Sequence, residues 1–265
     1  MTTAVATNNC SLKAGFPVES HQDAKNSTSY RHLHRLLSPD PELELHDIHS
    51  TARTEVEHYV AKQFANVYGA NVKDYLPQLL SLRCNNMLSA VTGFCPAASS
   101  PLFVEHYLDI PVEDEIQHLS SRPVNRSSIV EIGNLAASQR GASQLLFILL
   151  ASILYEANFE WLVFTATPQV QKSIGRLGLE MHQITKASPT RLSSSELRDW
   201  GSYYETTPMV VAGRLEEASH IIKNNRVLRG MLNLYKNRVE TLAGLTRDQI
   251  IHLQMPPYDQ YSYAA

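Results

Sequence analysis

Apolar and polar positions alternate along this chain at two periods, and the switches between them mark out successive elements. Residues 42–50, ELELHDIHS, alternate at Leu43, Leu45 and Ile48, the period of a strand. From Ser50 the period lengthens. Val56, Tyr59, Val60, Phe64 and Val67 fall on one helix face, with Ser50 or Thr51 to cap it and Gly69 to end it. Pro77 then separates this helix from two strands, residues 79–84 and 87–97. Their link is Asn85-Asn86, since asparagine tolerates the positive φ of a short hairpin turn. Residues 102–108 read as a short helix, and 112–125 as a polar connection with one more helical turn.

The densest pattern follows. Residues 129–135 read as a strand in which Gly133 marks a bulge or a close backbone approach. A helix over 141–158 comes next. Residues 161–165 are continuously apolar, as in a strand buried on both faces. Pro168 opens another helix, which ends near Gly178. Strands near 180–185 and over 208–213 and a helix over 216–243 complete the order. Residues 1–41 are polar and aperiodic and read as a disordered leader; MPPYDQYSYAA reads as a tail. The expected division is therefore a leader (1–41), one domain (42–215) and a helical extension (216–265). A strand ending at a polar turn that feeds a helix N-terminus makes a site for anions, and in one order of elements it is the acyl-donor half of an N-acetyltransferase-like fold. The expected class is α/β (α+β): a mixed, twisted central sheet with helices on both faces and a splayed strand pair.

Composition narrows the function classes. Of 265 residues, 43% are hydrophobic and 18% charged, with a formal net charge of −3, which points away from nucleic acid as a partner. Cys10, Cys84 and Cys95 form no CxxC pair, and the histidines form no HExxH, so neither a disulfide framework nor a metal site is expected. The longest apolar run, residues 145–155, has eleven residues, against about 20 for a membrane-spanning helix. With no apolar signal segment at the start, a reducing, cytoplasmic location is expected.

Four constellations could carry chemistry. The turn Gln139, Arg140, Gly141, Ala142, Ser143 opens a helix, where free N–H groups and the helix dipole favour phosphate. An ordinary N-cap is the competing reading. Glu131, among apolar neighbours on the strand before that turn, is a candidate general base, with Gly133 and Asn134 beside it. Trp200 with Tyr203 and Tyr204 offers either a phenol acid for a departing thiolate or an aromatic cluster closing the core. Glu105 is either a substrate-side carboxylate or a solvated one.

The segments LFVEHYLDIPVE, NRSSIVEIGNLAAS, WLVFTATPQVQKSIGRLGL and WGSYYETTPMVVAG occur in that order, and with them the chain resembles the thermostable hemolysin family over roughly residues 50–215. That family is similar in pattern to N-acetyltransferase-like proteins and to acyl-homoserine-lactone synthases. Glu105, Arg126, Glu131, Gly133, Asn134, Trp200, Gly201, Tyr203 and Tyr204 fall on its emphasised positions; Cys95 and Ile174-Gly175 depart from it. The resemblance implies an acyltransferase moving an acyl group from a pantetheine thioester to an amine in secondary metabolism. The donor is acyl-CoA or acyl-phosphopantetheine on an acyl-carrier protein, with no tightly bound cofactor. Its tether would lie between strands 129–135 and 161–165, along Gly133 and Thr165. Glu131 and Asn134 would serve catalysis with Tyr203 or Tyr204, while Glu105, Arg126 and Trp200 would hold the acceptor. A homodimer and a lipid-like product are further expectations. The alternative is a non-catalytic, lipid- or membrane-active protein on the same fold.

Overall fold

The computed structural model describes residues 42–139 and 141–254, with side chains to residue 248. The leader, Arg140 and the tail after residue 254 lie outside them. In chain order the elements are β1 (Glu42–His46), α1 (Arg53–Tyr68), β2 (Gln78–Cys84), β3 (Met87–Pro96), a 3-10 turn (Phe103–Tyr107) and α2 (Val112–Gln117). Then come β4 (Ile129–Ala137), α3 (Ala142–Glu156), β5 (Trp161–Ala166), α4 (Pro168–Gly175), β6 (His182–Lys186) and α5 (Ser194–Asp199). Another 3-10 turn (Tyr203–Thr206), β7 (Met209–Arg214), α6 (Leu215–Asn224), α7 (Arg226–Leu234) and α8 (Lys236–Gln254) complete the order, with two shorter 3-10 turns at Arg126–Ser128 and Pro189–Arg191.

The seven strands form one sheet in the order β1-β2-β3-β4-β5-β7-β6. Neighbours are antiparallel except β4 and β5, which run parallel. Asn85 and Asn86 both take positive φ at the β2–β3 turn, where asparagine accepts the left-handed region better than other side chains.

The parallel pair is the feature that matters. Its ladder runs only from Ile129↔Trp161 to Glu131↔Val163. Beyond Glu131, β4 stays with β3 while β5 stays with β7, so the two strands part. The register between β3 and β4 also slips here: Val91 faces Ala136 but Gly93 faces Gly133, leaving Asn134 and Leu135 as a bulge. The residue that turns is Asn134, at φ 50, rather than the neighbouring Gly133. Gly133 and Gly93 serve close approach instead: a Cβ on either would come within 3.0 Å of Leu76.

Side chains alternate between the two faces of the sheet. Leu80, Leu82, Phe94, Val130, Ile132 and Leu162 meet α3 on one face. On the other, Leu79 and Val91 meet Val56 and Val60 of α1, and Ile129, Val163 and Val210 meet the 3-10 turns Phe103–Tyr107 and Tyr203–Thr206. α3 is buried on nearly every side because the C-terminal helices cover its outer surface with Leu215, Ile222, Leu228, Met231 and Val239. Arg238 donates to the Leu43 carbonyl at 2.7 Å and ties this third layer back to β1. The single helix expected over 216–243 is three: the Asn225 side chain accepts from Val227 N and Leu228 N and starts the second, and the third begins after Tyr235, which ends the second. This is the N-acetyltransferase-like arrangement: a mixed sheet, helices on both faces and a splayed central pair. Among the described residues no helix is long and apolar enough to cross a membrane.

Candidate active site

The parting strands open into a cavity of about 260 Å³ on the α1 face. β4 gives it Glu131 to Leu135, and β5 gives Phe164 and Thr165. Residues 71–76 form one side, Phe103 and Tyr107 another, and Trp200, Tyr203 and Tyr204 close it. A second cavity of about 200 Å³ continues from it towards the start of α3, past Leu135, Ala137, Ser143, Gln144, Thr167 and Ser173. Phe64, Tyr68, Leu135, Thr167 and Val170 line both.

Glu131 is 3% exposed. Its Oε2 accepts from Phe103 N at 2.7 Å and its Oε1 from Val104 N at 2.9 Å, the leading N–H groups of the 3-10 turn. Burial pushes its pKa up to about 7; the two backbone N–H groups work against that rise, and the Glu105 charge adds to it. A carboxylate balanced near neutrality in a cavity wall can take up and release a proton.

Glu105 and Arg126 are not on these walls, which corrects the acceptor-binding role expected of them. Arg126 donates to both oxygens of Glu105, at 2.6 and 2.9 Å, and to Glu113 at 2.8 Å. Glu105 also accepts from Leu102 N at 2.8 Å. The Arg126 guanidinium holds the Glu105 pKa down to about 2. The pair is a clamp that seats the 3-10 turn over Glu131.

Asn134 has likewise been given other work. Its Oδ1 accepts from Leu76 N at 2.9 Å and its Nδ2 donates to the Asp74 carbonyl at 3.3 Å, which pins residues 71–76 against the bulge. Among the predicted turn residues, Ser143 lines the second cavity, whereas Gln139, Gly141 and Ala142 do not. Gln139 accepts from Ala142 N at 3.2 Å, Gly141 takes φ 84 as the N-cap of α3, and Ala142 is fully buried. Arg140 lies outside the described residues. Thr167 caps α4, so the N-termini of α3 and α4 both open on the second cavity.

Tyr203 donates to the Thr165 carbonyl at 3.5 Å, and burial drives its pKa upward. The hydroxyls of Tyr204 and Tyr107 form a short hydrogen bond. Burial lifts Tyr204 to about 12, with the Tyr107 bond pulling the other way; Tyr107 is raised by burial and by that same bond. Both predicted tyrosines thus move away from the range of a thiol, near 8.5. The Thr165 hydroxyl is buried with no hydrogen-bond partner. Trp200 packs against Phe64, Phe103 and Tyr203 at 5.2–6.1 Å between ring centroids. Gly201 lets this segment dock on the end of α1: at φ 53 a Cβ there would lie 2.2 Å from the Tyr68 carbonyl oxygen.

Tyr68, Phe64, Tyr107 and residues 71–76 were not singled out from sequence. Phe64 shows in the sequence only as one member of a helix face, and Tyr107 only within the segment LFVEHYLDIPVE. Among the described residues no group of three or more His, Cys, Asp or Glu could hold a metal ion.

Residues 46–219 match the sequence model described as thermostable hemolysin. The chain belongs to that family. No curated protein matches this family member. Solved structures similar to it include TofI in a ternary complex with an inhibitor and MTA, at 12% identity over 71% of this chain and 99% of that one, TM-score 0.48. Others are the AHL synthase LasI (13%, 66% and 90%, TM-score 0.45) and FeeM, an N-acyl amino acid synthase from uncultured soil microbes (12%, 68% and 94%, TM-score 0.46).

Proposed function

We propose that the protein is an N-acyltransferase that takes an acyl group from a pantetheine thioester, carried by coenzyme A or an acyl-carrier protein, and passes it to an amine. One observation carries this reading: the β4–β5 ladder stops at Glu131↔Val163, and the gap beyond it opens into a cavity walled by that same Glu131. From Ile132 onward β4 has β3 on one side and no strand on the other. A thin tether with two amide groups suits such a gap, because it can take the place of the missing strand. The unpartnered Thr165 hydroxyl offers a further contact. The donor's phosphates would meet the paired N-termini of α3 and α4 beyond Ser143 and Thr167.

In this reading Glu131 is the general base. It removes a proton from the acceptor ammonium, directly or through water. The free amine attacks the thioester carbonyl, and a main-chain N–H at the Asn134–Leu135 bulge steadies the oxyanion. The C–S bond then breaks as Tyr204 gives its proton to sulfur; the newly acylated nitrogen sheds its extra proton, through water, to the Tyr204 phenolate, and Glu131 passes the proton it holds to solvent. Tyr204 is chosen over Tyr203 because the Tyr107 hydrogen bond holds its pKa lower. Asn134 becomes a positioning residue, and Trp200 part of the acceptor's wall.

Free thiol release from acyl-CoA and acyl-carrier thioesters, measured across a panel of amines with mass spectrometry of the products, tests the proposal. Amine-dependent thiol release with an N-acyl product is expected. No thiol release from any pantetheine thioester would overturn it.

A further inference from the structure

The walls of the first cavity differ in charge from what an amino-acid acceptor needs. Among its described lining residues Lys73 is the one cationic side chain, and Asp199 already holds it through both carboxylate oxygens at 2.8 and 2.9 Å. Asp74, Glu131, Glu196 and Asp199 bring four carboxylates to the same walls. Between them stand aromatic faces. Trp200 lies 5.2 Å from Tyr203, 5.8 Å from Phe103 and 6.1 Å from Phe64.

An ammonium group is drawn to aromatic faces and to carboxylates alike. A carboxylate entering the same space would lose its hydration, meet like charge and find the one lysine engaged. We infer, resting on the acyl-transfer reading, that the acceptor is a primary amine on an aromatic or aliphatic body that carries no carboxylate. An α-amino acid is thereby disfavoured. The amine arrives as its cation against the Trp200 wall, gives its proton to Glu131, and is acylated on nitrogen. The carboxylates on the walls discriminate by charge; the rings select for the body.

Matched ligands separate the alternatives. Phenethylamine and phenylalanine differ by one carboxylate, and each can be titrated into the full chain while Trp200 fluorescence is followed, with a Trp200→Phe variant to assign the signal. Phenethylamine is expected to bind about tenfold more tightly or better. Equal or tighter binding of phenylalanine, or no binding of phenethylamine at millimolar concentration, overturns the inference. Asp74 is exposed, and Asp74→Lys is expected to narrow the preference by about threefold while leaving the fold intact. Thiol release is then measured with the same pair. Faster release with phenylalanine overturns the inference and leaves the acyl-transfer reading standing. Discrimination in binding with no thiol release from coenzyme A or carrier thioesters retires the acyl-transfer reading and keeps the cavity's preference.

Discussion

Two carboxylates hold the same short turn and end up at opposite extremes. Glu105 accepts from Leu102 N, while Glu131 accepts from the next two N–H groups, those of Phe103 and Val104. Glu105 has a guanidinium across both oxygens and is held down to about 2; Glu131 is buried with backbone partners alone and rises to about 7. The difference shows what converts a capping carboxylate into a proton acceptor. Both make hydrogen bonds to N–H groups. One is relieved of its charge burden by a cation, and the other keeps that burden inside a cavity wall.

Removing Glu131 draws the sharpest line between the two. Glu131→Gln is expected to lower kcat/KM for thiol release by about 10²-fold or more while coenzyme A affinity stays near wild type. Unchanged turnover would make Glu131 a second structural cap, no different in kind from Glu105. The next test varies pH. Glu131 must be ionised to accept a proton, so activity should climb as pH rises towards about 7 and level off above it. That limb should vanish from whatever residual rate Glu131→Gln retains. A wild-type profile flat from pH 5 to 8 would contradict the assignment.

Breaking the clamp comes third. Arg126→Met leaves Glu105 and Glu113 facing each other without their cation and should cost about 2 kcal/mol, read as a fall in Tm. The pair is partly solvated, which keeps the loss below that of a fully buried one. Arg126→Lys should restore only part of it, since an ammonium cannot bridge both Glu105 oxygens. The smallest effect is linked to acid. The folded-state pKa of Glu105 lies below its ordinary 4.5, so its contribution is fully present above that value and fades as pH falls towards about 2. The Tm difference between wild type and Glu105→Gln should therefore close between pH 4.5 and 2. A difference that persists at pH 2 would mean that the carboxylate's charge is not what stabilises the turn.

Much of this architecture could be read in the chain beforehand. The all-round apolar run of α3, the β-branched stretch of β5, Asn85-Asn86 and Pro168 each announce a local preference that tertiary packing then reinforces. The meeting of Glu131 with the 3-10 turn was not legible, because it joins residues 27 and 28 apart in sequence through backbone N–H groups that carry no residue code. Glu105, open in the sequence between a substrate-side and a solvated carboxylate, instead has the Arg126 guanidinium across it from 21 residues away. Gly133 pointed to the right place on β4 for a bulge, but the positive φ went to Asn134, whose amide could also reach Leu76 and Asp74. The α5 helix went unread although Ser193 and Glu196 form a capping box at its start. Val67, placed on the buried face of α1, is 64% exposed, because the apolar stripe turns away from the sheet before the helix ends.

A sheet sewn across its middle by only three residue pairs behaves as two ribbons sharing a short seam. Where they part, a side chain of the α3 layer reaches the passage. Phe147 of α3 lines the second cavity and rests 6.0 Å from Phe164, ring to ring. Trimming that ring is expected to let the ribbons draw together, which would put the bore of the passage under the control of a side chain that never needs to touch the reacting atoms.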